Sequence, residues 1–214
     1  IGLAAIMPDA ENSTQFWQNI IDAKVSIKQI PEGRWPGPSN NFWRQGGPGA
    51  VEEGFTYSKI GALVDGYEFD WRRWRQPPGT LPQIDICQQW AVAVSADAIE
   101  DAGFDGESKD IDRVRTGVVF ANALGGENRN MSNIRVWSNH TKQLASQHGL
   151  PDSNMDSFIE DVVRGTPRID EDTMPGELAN VVSGRVANLL DLQGPNHAMD
   201  AACASSMAAV LDAC

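Results

Sequence analysis

The chain has 214 residues, 41% hydrophobic and 21% charged, the balance of a globular protein with a sizeable core and not of a disordered, collagenous or disulfide-scaffold chain. Lys+Arg at 17 against Asp+Glu at 29 leave a formal charge of −12. Nothing therefore draws the molecule as a whole to phosphate backbones or anionic lipid, and nucleic-acid binding is disfavoured. The apolar opening, residues 1–7, is too short for a membrane span and lacks the basic flank of a signal peptide. Cys87, Cys203 and Cys214 are an odd number without CxxC spacing, which indicates free thiols in a reducing, cytoplasmic compartment. In that setting the Asn-x-Ser/Thr matches at Asn12, Asn130 and Asn139 are chance.

Residues 1–7 read as the tail of a buried strand, and residues 204–214 end without a Gly, Asn or Pro to stop a helix. The expectation is a fragment cut at both ends. Ser13 is placed to cap a helix whose Phe16, Trp17, Ile20 and Ile21 share one face. Residues 31–54 are too dense in Pro and Gly for a regular element, but Trp35, Phe42 and Trp43 predict a loop held in order by docked aromatic rings. Residues 69–78 add Trp71 and Trp74 and close at Pro77-Pro78-Gly79. Residues 84–102 contain no Gly or Pro before Gly103, and the run Trp90-Ala91-Val92-Ala93-Val94 predicts a buried helix. A covered strand follows at 116–121, ended by Gly125-Gly126, with helices near 131–147 and 153–164 in a polar stretch. Pro175 suits the first turn of a helix carrying Leu178, Val181, Val182, Val186 and Leu189, and Gly194-Pro195 breaks the chain before a short strand at 196–200. Helices alternating with covered strands predict an α/β layered fold, without internal repeat or low-complexity segment.

The chemistry concentrates in Asp200-Ala201-Ala202-Cys203-Ala204-Ser205-Ser206, where a strand passes through a tight turn into a helix. A nucleophile at such an elbow needs small neighbours two positions to either side, the places of Ala201 and Ser205. A helix N-terminus there carries about half a positive charge, which favours a thiolate at Cys203, and its free amides can donate to an oxyanion. The competing reading is a structural cysteine in an Ala-rich helix, and the spacing leaves both open. No base is evident. His197 lies about 20 Å away along an extended strand, His140 and His148 fall in the polar region, and Asp200 suits a bracing role better than a chemical one. Cys214 lies about 16 Å along the same helix and cannot pair with Cys203. Cys87 reads as core, and Gly125-Gly126 lacks the Lys-Ser/Thr of a phosphate loop.

These residues resemble the nucleophile motif of the β-ketoacyl synthases, the condensing enzymes of fatty-acid and polyketide assembly. The approach Gly176-Glu177-Leu178-Ala179-Asn180, Ser183-Gly184-Arg185-Val186-Ala187-Asn188 and Gly194-Pro195-Asn196 is similar to that family's, as are the opening landmarks Gly2 to Pro8, Ile30-Pro31-Glu32-Gly33-Arg34-Trp35 and Ala98-Ile99-Glu100-Asp101-Ala102-Gly103. Asp85-Ile86-Cys87-Gln88-Gln89 replaces the Asp-Pro-Gln-Gln-Arg usual in modular polyketide synthases. With the series from Gly117 to Glu127, it looks more like multidomain iterative synthases, including polyunsaturated fatty-acid synthases. The resemblance implies a thiolase-like α-β-α-β-α fold of which residues 1–214 form the N-terminal portion, and a homodimer with 196–199 at its interface. It implies Cys203 as the catalytic nucleophile, acylated from the phosphopantetheine of an acyl carrier protein, with no metal and no directly bound cofactor. Decarboxylative condensation with a malonyl-type extender would follow, served by two histidines and a lysine beyond these residues, so the fragment alone is expected to be inactive. A non-condensing chain-length partner of the same fold and a cysteine hydrolase are the alternatives.

Overall fold

Helix α2 (Ile86–Asp101) is the buried helix expected from the run without Gly or Pro. Asp85 stands at its N-cap and accepts from the Cys87 amide at 2.9 Å. Gly103, at φ +83°, takes the left-handed conformation that closes a helix C-terminus without the penalty a Cβ would bring. A computed structural model describes residues 1–104, 110–123, 125–149 and 152–214. The chain forms two compact units, Leu3–Glu68, and Ile1–Gly2 with Phe69–Cys214.

In the larger unit, β3 (Val118–Ala121) and β4 (Asn196–Met199) run parallel, in register from Val118 opposite Asn196 to Ala121 opposite Met199. Parallel neighbours need a long crossover, and here it carries α3 (Asn128–Gln147), α4 (Asp152–Arg164), α5 (Thr173–Glu177) and α6 (Val181–Leu189). Strand alternation sends Val118, Phe120 and Ala198 into one apolar cluster with Ala91 and Val92 of α2, Val182, Val186 and Ala187 of α6, and Leu192. Val119, Ala121, His197 and Met199 turn to the opposite face, where α7 (Ser205–Ala213) is joined to β4 by His197 Nε2 and Asp212 Oδ2 at 2.7 Å. The strands begin at a close backbone approach. A Cβ on Gly117 would lie 2.6 Å from the Pro195 carbonyl, and one on Gly194 would lie 2.5 Å from that of Thr116.

The continuous helix expected from Pro175 to Leu189 is two helices, with Leu178 extended between them at φ −75° and ψ 126°. The cause lies in α2. Gln88 is 1% exposed and points its amide nitrogen at the carbonyls of Pro175, Gly176 and Leu178, at 3.1, 3.0 and 3.3 Å. The Asp85 amide also donates to Gly176 O at 2.9 Å. Carbonyls taken from outside are not free to continue the helical ladder. Arg185 Nε donates to Gln88 Oε1 and fixes that side chain in turn. The predicted strand 116–121 is shorter, and the predicted helix 131–147 begins three residues earlier, at Asn128.

In the smaller unit, α1 (Ser13–Ile21) is capped by Asn12, not by Ser13. The extended backbone of Asn12 lets its Oδ1 accept from the Gln15 amide at 2.9 Å, whereas the Ser13 hydroxyl turns to Leu3 O at 3.3 Å. The Pro/Gly-rich loop contains two single 3-10 turns, Glu32–Arg34 and Ser39–Asn41. Trp35 and Phe42 stack at 6.3 Å. Hydrogen bonds from the hydroxyl and amide of Ser39, at 2.6 and 3.0 Å, hold the Glu32 carboxyl below its ordinary range. A short antiparallel pair, β1 (Lys28–Gln29) with β2 (Ile60–Gly61), completes the unit; two-residue strands leave no period for a sequence to display.

Asp85 also ties α2 to α3. Its second carboxylate oxygen accepts from the Asn128 backbone amide, the first of α3, at 2.9 Å. Asp85→Ala is expected to lower the unfolding free energy by about 2–4 kcal/mol, because it orphans two helix-terminal amides at once. Urea denaturation measures this, and an unchanged midpoint would contradict the double cap.

Candidate active site at a strand-to-helix elbow

Strand β4 ends at Met199 and α7 begins at Ser205, so the chain reverses within 200–204. A 3-10 turn, Ala202–Ala204, occupies most of that interval, and Cys203 is exposed at its centre. The sequence placed the cysteine at the start of the helix; the α-helical ladder begins two residues later. Ala202 has φ +49°, a left-handed conformation that costs a residue with a Cβ about 1 kcal/mol or more.

Two side chains hold that conformation. Asp200 Oδ1 accepts from the Ala202 amide at 2.8 Å, as the bracing role predicted from the sequence requires. Ser205 Oγ accepts from the Ala201 amide at 2.9 Å and donates to the Ala202 carbonyl at 2.6 Å. The Ala204 amide closes the turn onto Ala201 O at 3.0 Å. Ser205 is 6% exposed. The sequence accounts for a serine there by small size alone, and the hydroxyl's two backbone bonds escape that reasoning; only a short-range pattern of Ser/Thr turns carries such a signal in sequence.

Beside the elbow, at the carboxyl ends of β3 and β4, lies a cavity of about 370 Å³ whose lining includes Asn122, Arg129, Asn180, Ala198, Met199 and Asp200. Crevices at the carboxyl ends of parallel strands are where α/β proteins hold ligands. Leu124 of the 117–127 series lies outside the described residues. Gly126 has a packing reason in place of a phosphate-binding one, since a Cβ there would lie 1.8 Å from the Asp85 carboxylate.

The other candidate residues are not gathered at Cys203. His197 Nε2 is bonded to Asp212, His140 stands edge-on to Trp137 at 5.3 Å, and His148 caps the C-terminus of α3. Cys214 is exposed at the end of α7. Cys87 is half-buried in α2, where burial first, and then the hydrogen bond and charge of Asp85, push its thiol up to about 12. That disqualifies it as a nucleophile. Among the described residues no group of three or more His, Cys, Asp or Glu is arranged to hold a metal ion, and no helix is long and apolar enough to cross a membrane.

A parallel strand pair that delivers an exposed cysteine into a left-handed turn before a helix has the strand–turn–helix geometry of a nucleophile elbow. The chain belongs to the β-ketoacyl synthase N-terminal domain family, whose profile matches residues 1–214. Among its relatives, a polyunsaturated fatty acid synthase polypeptide of Thraustochytrium sp. is 27% identical over 98% of this chain and 7% of its own length. Polyketide synthase ThaG of Burkholderia thailandensis is 31% identical over 100% of this chain and 3% of its own. The chain thus spans a small part of the curated relatives it matches. In fold it is similar to the oxazolomycin ketosynthase domain OzmH KS7 of Streptomyces albus, with a TM-score of 0.72 and 24% identity over all of this chain and 31% of that one. It is also similar to the PfaC keto synthase–chain length factor, with a TM-score of 0.76 and 19% identity over 98% of this chain and 21% of that one. The fold is therefore that of the ketosynthase domains.

Iodoacetamide at pH 8 is expected to label Cys203 and Cys214 and to spare Cys87, whose thiolate share at that pH is about 10⁻⁴. Peptide mass mapping checks this, and labelling of Cys87 without denaturant would contradict it. Folded Cys87 keeps its proton to about 12 against 9.0 for an ordinary thiol. The stability this contributes is full below pH 9 and declines as pH rises from there towards 12. Cys87→Ala is expected to flatten that alkaline decline in denaturation midpoints.

Proposed function

We propose that the chain is the acyl-accepting, N-terminal portion of a β-ketoacyl-acyl-carrier-protein synthase, with Cys203 as its nucleophile. One observation carries the reading: Cys203 is exposed at the apex of a strained turn between β4 and α7, in a chain whose family match runs from residue 1 to residue 214. The Cys203 sulfur attacks the carbonyl carbon of an acyl thioester. A new carbon–sulfur bond forms, the old one breaks, and the carrier's thiolate leaves and takes up a proton. Exchange of one thioester for another is nearly balanced, so the step needs no metal or redox group. The phosphopantetheine belongs to the acyl carrier protein, and this chain supplies the sulfur and the turn that presents it.

In the second step a malonyl-type extender loses carbon dioxide, and its carbanion attacks the acyl-Cys203 carbonyl, forming a carbon–carbon bond and releasing the cysteine. The family's histidines and lysine for that step have no counterparts in the matched motifs here, and His140, His148 and His197 are not assigned to it. We place residues 1–214 as the N-terminal half of a thiolase-like α-β-α-β-α domain, in a cytoplasmic multidomain synthase, inactive as a piece by itself. A homodimer through β4 is supported by its exposed Asn196 and His197 and by pairing on one edge alone among the described residues. A non-condensing chain-length partner is a second reading, favoured by the likeness to the keto synthase–chain length factor; the exposed Cys203 weighs for the condensing one.

The test uses the full-length protein and an acyl carrier protein bearing an acyl thioester. Mass spectrometry is expected to find the acyl group on Cys203 in the wild type and on no residue in Cys203→Ala. Adding the malonyl carrier then yields carbon dioxide and a β-ketoacyl product for a condensing enzyme, whereas a chain-length partner gives neither. A Cys203→Ala protein that still forms an acyl-enzyme contradicts the assignment.

A further inference from the structure

We infer that Ser205 is a positioning residue for acyl transfer: its buried hydroxyl holds the left-handed residue before the nucleophile and so aims the Cys203 sulfur. The inference rests on the reading of Cys203 as the acyl acceptor and names a determinant of its rate. Ser205 Oγ stands 2.9 Å from the Ala201 amide and 2.6 Å from the Ala202 carbonyl, and the residue is 6% exposed. Both its donor and an acceptor position are taken by backbone, so the hydroxyl acts on the turn and not on the thiol. Its two bonds bracket Ala202, whose φ of +49° a residue with a Cβ avoids unless its surroundings impose it. Asp200 holds the Ala202 amide at 2.8 Å, but nothing in that bond fixes the Ala202 carbonyl, and Ser205 supplies that restraint. The Cys203 backbone follows that carbonyl directly, so a rotation at Ala202 swings the sulfur. A helix-starting serine with a purely structural role would change stability and leave the geometry of attack untouched.

The experiment compares the full-length wild type with Ser205→Ala, Ser205→Thr and Ala202→Gly, and with Ser205→Ala placed in the Ala202→Gly background. The probe is an acyl-N-acetylcysteamine thioester, with acyl-Cys203 followed by mass spectrometry in single turnovers. Ser205→Ala is expected to slow acylation at saturation about 10- to 100-fold, the scale of a misplaced reacting atom. The half-saturating thioester concentration is expected to stay at the wild-type value, as is the rate of iodoacetamide alkylation, which needs the sulfur but not its alignment. Ser205→Thr keeps the hydroxyl and is expected to restore the rate. Glycine adopts φ +49° unaided, so losing the hydroxyl is expected to cost less rate in the Ala202→Gly background than beside the native Ala202. Wild-type acylation in Ser205→Ala overturns the inference. So does a parallel fall in acylation and alkylation, a threonine variant as slow as the alanine one, or an equal loss in both backgrounds. Failure of both serine-to-alanine proteins to fold, read by circular dichroism, overturns it as well, because the need is then structural. Acylation persisting in Cys203→Ala would instead sink the functional reading itself, whereas its loss there beside a fast Ser205→Ala protein sinks the positioning role alone.

Discussion

A buried carboxylate held by amides governs the larger unit. Asp85 is 1% exposed, and its two oxygens accept from Cys87 at the start of α2 and from Asn128 at the start of α3. A charge removed from water is tolerable only when its lone pairs are met, and two helix N-termini offer both hydrogen bonds and favourable dipoles. The arrangement fixes much else. Gly126 must lack a side chain, and the Asn128 side-chain amide reaches back to the carbonyls of Pro82 and Gln83 at 3.0 and 3.1 Å. One turn into α2, Gln88 meets the carbonyls that end α5. The position of α6 beneath β3 and β4, and with it the exit of β4 towards Cys203, follows from where that break falls.

The elbow holds its strain differently. A left-handed alanine would relax in a free loop, but here a carboxylate before it and a hydroxyl after it occupy three backbone groups within two residues. Strain of this kind is found where structure serves chemistry, and it persists because neighbours over-determine it. The cavity at the carboxyl ends of the two strands opens on the same segment and shares Asp200 with it. One residue thus belongs both to the scaffold of the turn and to the wall of the adjoining space.

Much of this is legible in the residues. Elements bounded by Gly or Pro are readable from that punctuation, as in α2, α4 and β4. The strand-to-helix passage at Cys203 is readable for the same reason, together with its small flanking residues. What stays hidden depends on partners remote in sequence. The Leu178 break is imposed by Gln88, about ninety positions earlier. The partner of His197 is Asp212, on a helix that the chain reaches only after the elbow. Asn12 and Ser13 are both good caps, and only backbone geometry chooses between them. Ser205 stands out in sequence for its volume, while its role lies in its hydroxyl.

The register of β4 has a consequence for how this protein can vary. Gly194 is pinned against Thr116, and four residues of strand then carry the chain to the elbow with alternate side chains assigned to opposite faces. Inserting a single residue between Gly194 and Asn196 would exchange those faces. Ala198 would leave the apolar cluster, a polar neighbour would take its place, and the sulfur would emerge on the wrong side of the sheet. The segment is therefore locked in length as well as in composition. A length change is tolerable only in loops that the strand pair does not count, while substitution along that stretch leaves its register intact.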